Sequence, residues 1–309
     1  MTFGPKTEGV LYHYTSHKNL RCIVEDRSLR ISHVYYMHDA NEIKYGAELF
    51  KTVVAKRQNR ETNQTLIDFL VELKDWTNQL IGLPHYIFVF SLTEKGNLLS
   101  QWRAYTPSGE AGVSIGFSKE ALEKIAAQKG FELIKCLYDN AEQLGILNTE
   151  LDAIIAKFVE DQPLINTSAR PPNQKYLSYF YRYSERLLKT FCRIKDPFFQ
   201  EESEWRLVSK YYEKYTDLEI KFREGRTTLV PFVEFHLSGM HDNSRLFEQV
   251  YVGPSPNFNL AYAAIASFLS NKKGQKQRGR ESFLDSCHTD AWPWSKPTTC
   301  ACRTAEYRK

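Results

Sequence analysis

The chain predicts an α+β fold, and three features of its 309 residues carry that expectation. Strand-like runs cluster near both ends of the sequence. Segments with helical period fill the middle. No regular alternation of strand and helix, as a parallel sheet requires, connects them.

The first element is the run LYHYTS, in which Leu11, Tyr12 and Tyr14 favour a strand. Ser16 then supplies an N-cap, and Leu20, Ile23 and Val24 follow at helical spacing. His13 is therefore expected where a strand gives way to a helix, a position at which open sheets carry ligand-binding groups. Residues 39–56 and 62–81 read as packing helices, the second with Leu66, Phe69, Leu70, Leu73 and Trp76 on one face. Gly82 and Pro84 break the chain before the strand-like run 85–92. A loop, NLLSQWRAYTPSGEAG, leads to a strand over 113–117. Ser118 caps a helix that stops at Gly130, and 131–138 returns as a strand. Residues 140–195 are mostly helical in period, interrupted around 163–172, and predict an inserted helical subdomain or lid. Strand patterns resume after residue 197, in EWRLVSKYY, LEIKFRE, LVPFVEFHL and FEQVYVG, before a final helix over about 257–269.

Domain organisation follows: one domain over 1–270 with an insertion at 140–195, and a basic, aperiodic, flexible tail over 271–309. A hydrophobic content of 42% is ample for a large core. The net charge of +4 is too small to announce nucleic-acid binding, and much of the imbalance comes from NKKGQKQRGR at 271–280, which holds five basic residues and no acid. No membrane-spanning run and no basic-then-apolar leader are evident, so a cytoplasmic protein with no membrane partner is expected. Cys22, Cys136 and Cys192 are scattered among apolar residues, as reduced core cysteines are. Cys287, His288, Cys300 and Cys302 crowd together without the paired spacings of a structural zinc site, so no metal is expected.

Three patterns suggest chemistry. In EESEWRLV, Glu202 and Glu204 are spaced by two, so a strand would direct both carboxylates to one side, beside Arg206, with Trp205 and Leu207 opposite. One carboxylate could then stabilise an oxocarbenium-like centre or bind a ribose hydroxyl while the other orients an attacking group. A solvated face of an edge strand would carry the same pattern. In FSLTEKGNLLSQWRAY, Ser91 and Thr93 share a strand face, and Trp102 and Tyr105 offer flat aromatic surfaces near Arg103. The pattern suits a planar, phosphate-bearing ligand, and equally suits aromatic plugs beneath a loop. In MHDANE, Asp39 caps a helix, and Asn41 or Glu42 would serve a ligand only by facing the cleft of His13.

The ordered blocks LYHYTS, DANE, FSLTE…SQWRAY…GVSIGF, KDPFFQEESEWRLV, LVPFVEF and VYVGP, over about residues 10–270, resemble the prokaryotic domain of unknown function number twenty-nine seventy-one. Their outline is also similar to the ADP-ribosyltransferase superfamily, and the LYHYTS opening resembles that of the DNA-modifying DarT-type toxins. The resemblance implies a split β-sheet core that binds NAD as a substrate. It places His13 on the adenosine ribose, with Tyr14 and Thr15 adjoining. Ser91 and Thr93 would lie near the nicotinamide ribose, with Trp102, Tyr105 and Arg206 among the NAD contacts. Glu204 becomes the catalytic acid and Glu202 the first acid of a Glu-x-Glu pair. Tyr14 departs from the small residue often found beside the histidine, and Tyr36, Trp102 and Tyr105 compete to stack on nicotinamide.

The expected activity is NAD-dependent ADP-ribosyl transfer, or NAD cleavage, by a toxin or anti-phage effector. Its acceptor would be nucleic acid or protein, and an antitoxin or defence-system protein is the expected partner. Two rivals stand beside it. One is a non-catalytic module that binds nucleotides or a protein, and the other is a nucleic-acid-processing enzyme using His13 and Glu204. On the leading reading, Glu204→Gln should abolish catalysis and leave the fold nearly intact.

Overall fold

The computed structural model describes residues 9–37, 42–82, 87–106, 111–164, 171, 174–212, 214–225, 227–237 and 246–277. In chain order the elements are β1 (Val10–Ser16), α1 (His17–Asp26), β2 (Ser28–His33), α2 (Glu42–Gln58), α3 (Gln64–Gly82), β3 (Phe88–Thr93), α4 (Leu99–Tyr105), β4 (Gly112–Ser118) and α5 (Lys119–Gln128). There follow β5 (Phe131–Lys135), α6 (Asn140–Asp161), α7 (Leu177–Phe180), α8 (Ser184–Arg193), β6 (Glu204–Ser209), β7 (Lys221–Glu224), β8 (Leu229–His236), β9 (Phe247–Val252) and α9 (Phe258–Gln277). Short 3₁₀ turns intervene, among them Pro197–Glu202 just before β6.

Mixed helices and an antiparallel sheet make the protein α+β, and the sheet is forked. Strand β3 pairs along one edge with β6, from Val89 opposite Val208 to Thr93 opposite Glu204, and β6 pairs in turn with β5. Its other edge is shared. Strand β2 takes Phe88 and Val89, whereas β1 meets it only at Thr93, opposite Tyr12. Beyond the fork one arm runs β2–β8–β7 and the other β1–β4–β9. Because β6 has a partner on each side, it is an interior strand and not the solvated edge that its charged sequence also allowed.

Alternation along β3 and β6 divides the apolar residues between two helical layers. Val89 and Val208 join a core built from α2, α3, α6, α7 and α8. Phe90, Leu92 and Leu207 face the opposite core, with Leu11, Ile115, Val233 and Val250 under α1, α5 and α9. The apolar stripe of α3 is buried as its spacing predicts. The helices of 140–195 are not set apart from the sheet, since they share the first core with α2 and α3.

Several local expectations meet a different outcome. Residues 99–105 form a helix where a loop was expected; Leu98 at its N-cap makes no side-chain cap bond, so the usual start signal is missing from the sequence. Helix α9 continues to Gln277, so the boundary expected at 271 falls inside a helix. Asp39 and Asn41, residues 165–170 and 172–173 of the interruption expected around 163–172, and Cys287, His288, Cys300 and Cys302 lie outside the described residues. None of the described helices is long and apolar enough to cross a membrane.

Candidate active site

Where β1 and β2 diverge along β3, no strand among the described residues pairs with Ser91 on that edge, and the His13 side chain meets its carbonyl there. His13 Nδ1 donates to the Ser91 carbonyl at 3.0 Å, and the imidazole stacks on Phe90 at 4.1 Å between centroids. A carbonyl oxygen only accepts, so the assigned neutral tautomer carries its proton on Nδ1 and leaves Nε2 an acceptor. Burial holds the imidazole well below its ordinary range, at about 4, against the opposing bond to Ser91. His13 therefore lies inside β1, opposite Ile115 of β4, and not at the strand end that the sequence suggested.

A small cleft opens at this fork. It brings together His13 and Tyr14 from β1, Ser91 and Thr93 from β3, Tyr105 from α4, and Glu202 and Glu204. Tyr12, Leu92 and Gln101 complete the lining. Thr15, Trp102 and Arg206, three expected ligand contacts, are not among the lining residues.

Each of those three has a structural task instead. Thr15 is buried and accepts from Asn19 Nδ2 at 2.9 Å. Trp102 is buried; its indole N–H donates to Asn97 Oδ1 at 2.9 Å, and it meets Tyr14 edge-on at 4.6 Å. Gly253 makes room for it, because a Cβ there would lie 2.8 Å from the indole ring. Arg206 is 1% exposed and grips Glu204 through Nε and Nη2, both at 3.0 Å, while Nη1 donates to the Cys192 carbonyl at 2.8 Å. It also pairs with Glu42. Tyr36 packs edge-on to His33 and is not a cleft-lining residue.

Residues that do line the cleft are also tied down. The Tyr14 hydroxyl donates to the Lys95 carbonyl and accepts from Leu98 N–H, both at 2.7 Å, which staples the 94–98 segment to β1. The Thr93 hydroxyl donates to the Glu202 carbonyl at 2.5 Å and accepts from Lys95 N–H at 3.0 Å. Thr93 thus fixes the backbone of an acidic residue, beyond sharing a face with Ser91.

The carboxylate pair does not arise by strand alternation. Glu202 closes the 3₁₀ turn Pro197–Glu202, Ser203 takes a left-handed conformation (φ 45°), and the strand begins at Glu204. What brings the two acids together is Lys195, whose Nζ donates to Glu202 at 2.5 Å and to Glu204 at 2.7 Å. The same ammonium lies 3.0 Å from Glu42, the first residue of α2. Three carboxylates therefore surround two cations, Lys195 and Arg206.

The resulting electrostatics are uneven. Burial drives the Glu204 carboxyl up, but Arg206 and Lys195 together outweigh it and hold Glu204 well below the usual carboxylate range. Glu42 moves the other way, raised by burial and by Glu204 against the pull of Arg206 and Lys195. Lys195 is held above its ordinary value because the acids around it outweigh desolvation. Glu204 N–H donates to the Tyr138 hydroxyl at 2.9 Å, which closes the cluster from the β5 side. Cys136 and Cys192 are free buried thiols pushed up by desolvation, so neither is an activated nucleophile, and Cys22 is a free, half-buried thiol.

Sequence reasoning missed Lys195 and the part played by Glu42. The signal for Lys195 was its place in KDPFFQEESEWRLV, where it precedes both acids. Glu42 carried no comparable signal, because its meeting with β6 depends on how α2 packs.

Residues 101–207 match the family model described as a protein of unknown function, DUF2971. The segment runs from α4 into β6; it includes Tyr105, Lys195, Glu202, Glu204 and Arg206, and excludes His13, Ser91 and Thr93. Comparisons with curated proteins and with solved structures gave no match.

Proposed function

We propose that the fork cleft binds NAD and breaks its nicotinamide–ribose bond, passing ADP-ribose to an acceptor or to water. The observation that carries this reading is the convergence on one cleft of His13 from β1, Ser91 from β3, and the Glu202/Glu204 pair from the 3₁₀ turn and the start of β6. Among the described residues no lysine or arginine lines it, so it suits a ribose or a cationic ring better than a phosphate. As the glycosidic bond stretches, its electron pair leaves with neutral nicotinamide and positive charge develops on the ribose. A fixed carboxylate beside that ribose stabilises the transition state more than the ground state.

Glu202 is the better placed of the two acids for this task. Its side chain keeps 19% exposure at the cleft, whereas that of Glu204 keeps 5% and is held by both cations. His13 offers Nε2 as an acceptor for a ribose hydroxyl. Acting in the cytoplasm, such an activity would make the protein a toxin or defence effector, held in check by an antitoxin or a defence-system partner.

The test is nicotinamide release from NAD by the full chain, with and without protein and nucleic-acid acceptors. Glu202→Gln should slow release by about 10²-fold or more, the scale of a positioned acid–base group. A wild-type chain that releases no nicotinamide with any acceptor would sink the reading. The saturation of Glu204 by Lys195 and Arg206 favours a second reading, a module that binds a nucleotide without cleaving it. NAD binding with no release in the same assay would select it.

A further inference from the structure

We infer that Lys195 is the positioning residue of this cleft, aiming the Glu202 carboxylate at the ligand without touching the ligand itself. The inference rests on the NAD-cleavage reading for its kinetic consequence and on geometry alone for its structural one.

The backbone of Lys195 is pinned on both sides. Its N–H donates to the Leu137 carbonyl at 3.0 Å, and its carbonyl accepts from Gln143 Nε2 at 2.7 Å. Its side chain is 3% exposed, so the ammonium has one place to go. There its three N–H groups meet three carboxylates, Glu42, Glu202 and Glu204. An ammonium has no further donor, so Lys195 acts on a ligand only through those acids. Arg206 grips Glu204 and Glu42, and among the described residues Lys195 is the cation paired with Glu202. Glu204 would thus keep its orientation without Lys195, and Glu202 would lose its anchor.

Lys195→Met alone leaves three carboxylates around one cation and is expected to unfold readily. The informative variant is therefore Lys195→Met/Glu42→Gln, which removes one charge of each sign and keeps the cluster one carboxylate in excess. Its melting temperature should fall within about 5 °C of wild type, while the single variant melts far lower. Its kcat for nicotinamide release should drop by about 10²-fold with KM nearly unchanged, the signature of a displaced reacting group. A crystal structure of the double variant should show the Glu202 carboxylate turned away from the wild-type position. Wild-type kcat in the double variant, or an unmoved Glu202, would overturn the inference. If the wild-type chain itself releases no nicotinamide, the NAD reading falls alone, and the Glu202 position in the double variant still decides the role of Lys195.

Discussion

Glu204 illustrates how burial changes the meaning of a residue that looks catalytic in sequence. Its carboxylate pairs with Arg206 and with Lys195 where both are almost fully buried, so removing its charge breaks a buried ion pair with each and leaves Arg206 to Glu42, and Lys195 to Glu42 and Glu202. Breaking a buried ion pair from one side costs about 3–5 kcal/mol, and Glu204→Gln should therefore destabilise the protein by that order in urea unfolding. This replaces the expectation of a nearly intact fold. His13 gives a pH prediction. Its pKa is lowered from 6.5 to about 4, so between those values the unfolded chain binds more protons than the folded one. The associated stability is present above pH 6.5 and is lost as pH falls toward 4. Glu204, also depressed, loses its contribution only below the ordinary carboxylate value, and Glu42, raised, has the opposite sign. His13→Gln should flatten the stability difference between pH 4 and pH 6.5; an unchanged slope would mean that another group titrates there. At this scale the sequence showed which residue types matter. It did not show that Thr15, Trp102 and Arg206 are consumed by internal bonds, because that depends on what surrounds them.

The elements were more legible where their signals are local. Helices α1 and α5 start at serine caps, with Ser16 accepting from Asn19 N–H and Ser118 from Ala121 N–H, each at 3.3 Å. Ser118→Ala should cost about 1 kcal/mol, measurable by denaturant unfolding, since it leaves a first-turn N–H without its partner. Helix α4 escaped notice because it is seven residues long and lacks such a cap. Packing between elements is where reading the sequence stops. Helix α2 approaches α8 closely at Gly46, where a Cβ would lie 3.1 Å from the Phe191 Cα. Gly46→Val should destabilise by about 1–3 kcal/mol, because the obstacle is backbone that has to move. That movement would carry Glu42, one turn earlier on α2, away from Arg206. A double-mutant cycle of Gly46→Val with Glu42→Gln should show coupling, and additivity would contradict a shared displacement.

At the scale of the whole molecule, the α+β class follows from strand patterns gathered toward the chain ends, but the fork does not. It arises because β1 and β2 share one edge of β3, and no residue of β3 announces which stretch belongs to which arm. The domain match over 101–207 likewise covers the acidic side of the cleft without its histidine side. The fork also has a consequence for how the protein comes into being on the ribosome. Strand β3 pairs Val89 with Val208, a separation of 119 residues (208 − 89), so its edge stays unpaired while all the intervening chain is synthesised. At about 5–20 residues per second that wait lasts roughly 6–24 s. A nascent chain in that interval has His13 and Ser91 but not yet Glu202, Glu204 or Arg206, so it cannot assemble the cleft. It also exposes an apolar strand edge that invites chaperones. Arrested chains ending before residue 202 should therefore show trigger-type chaperone binding and no cleft chemistry, whereas chains extended well past β6 should lose the first and gain the second.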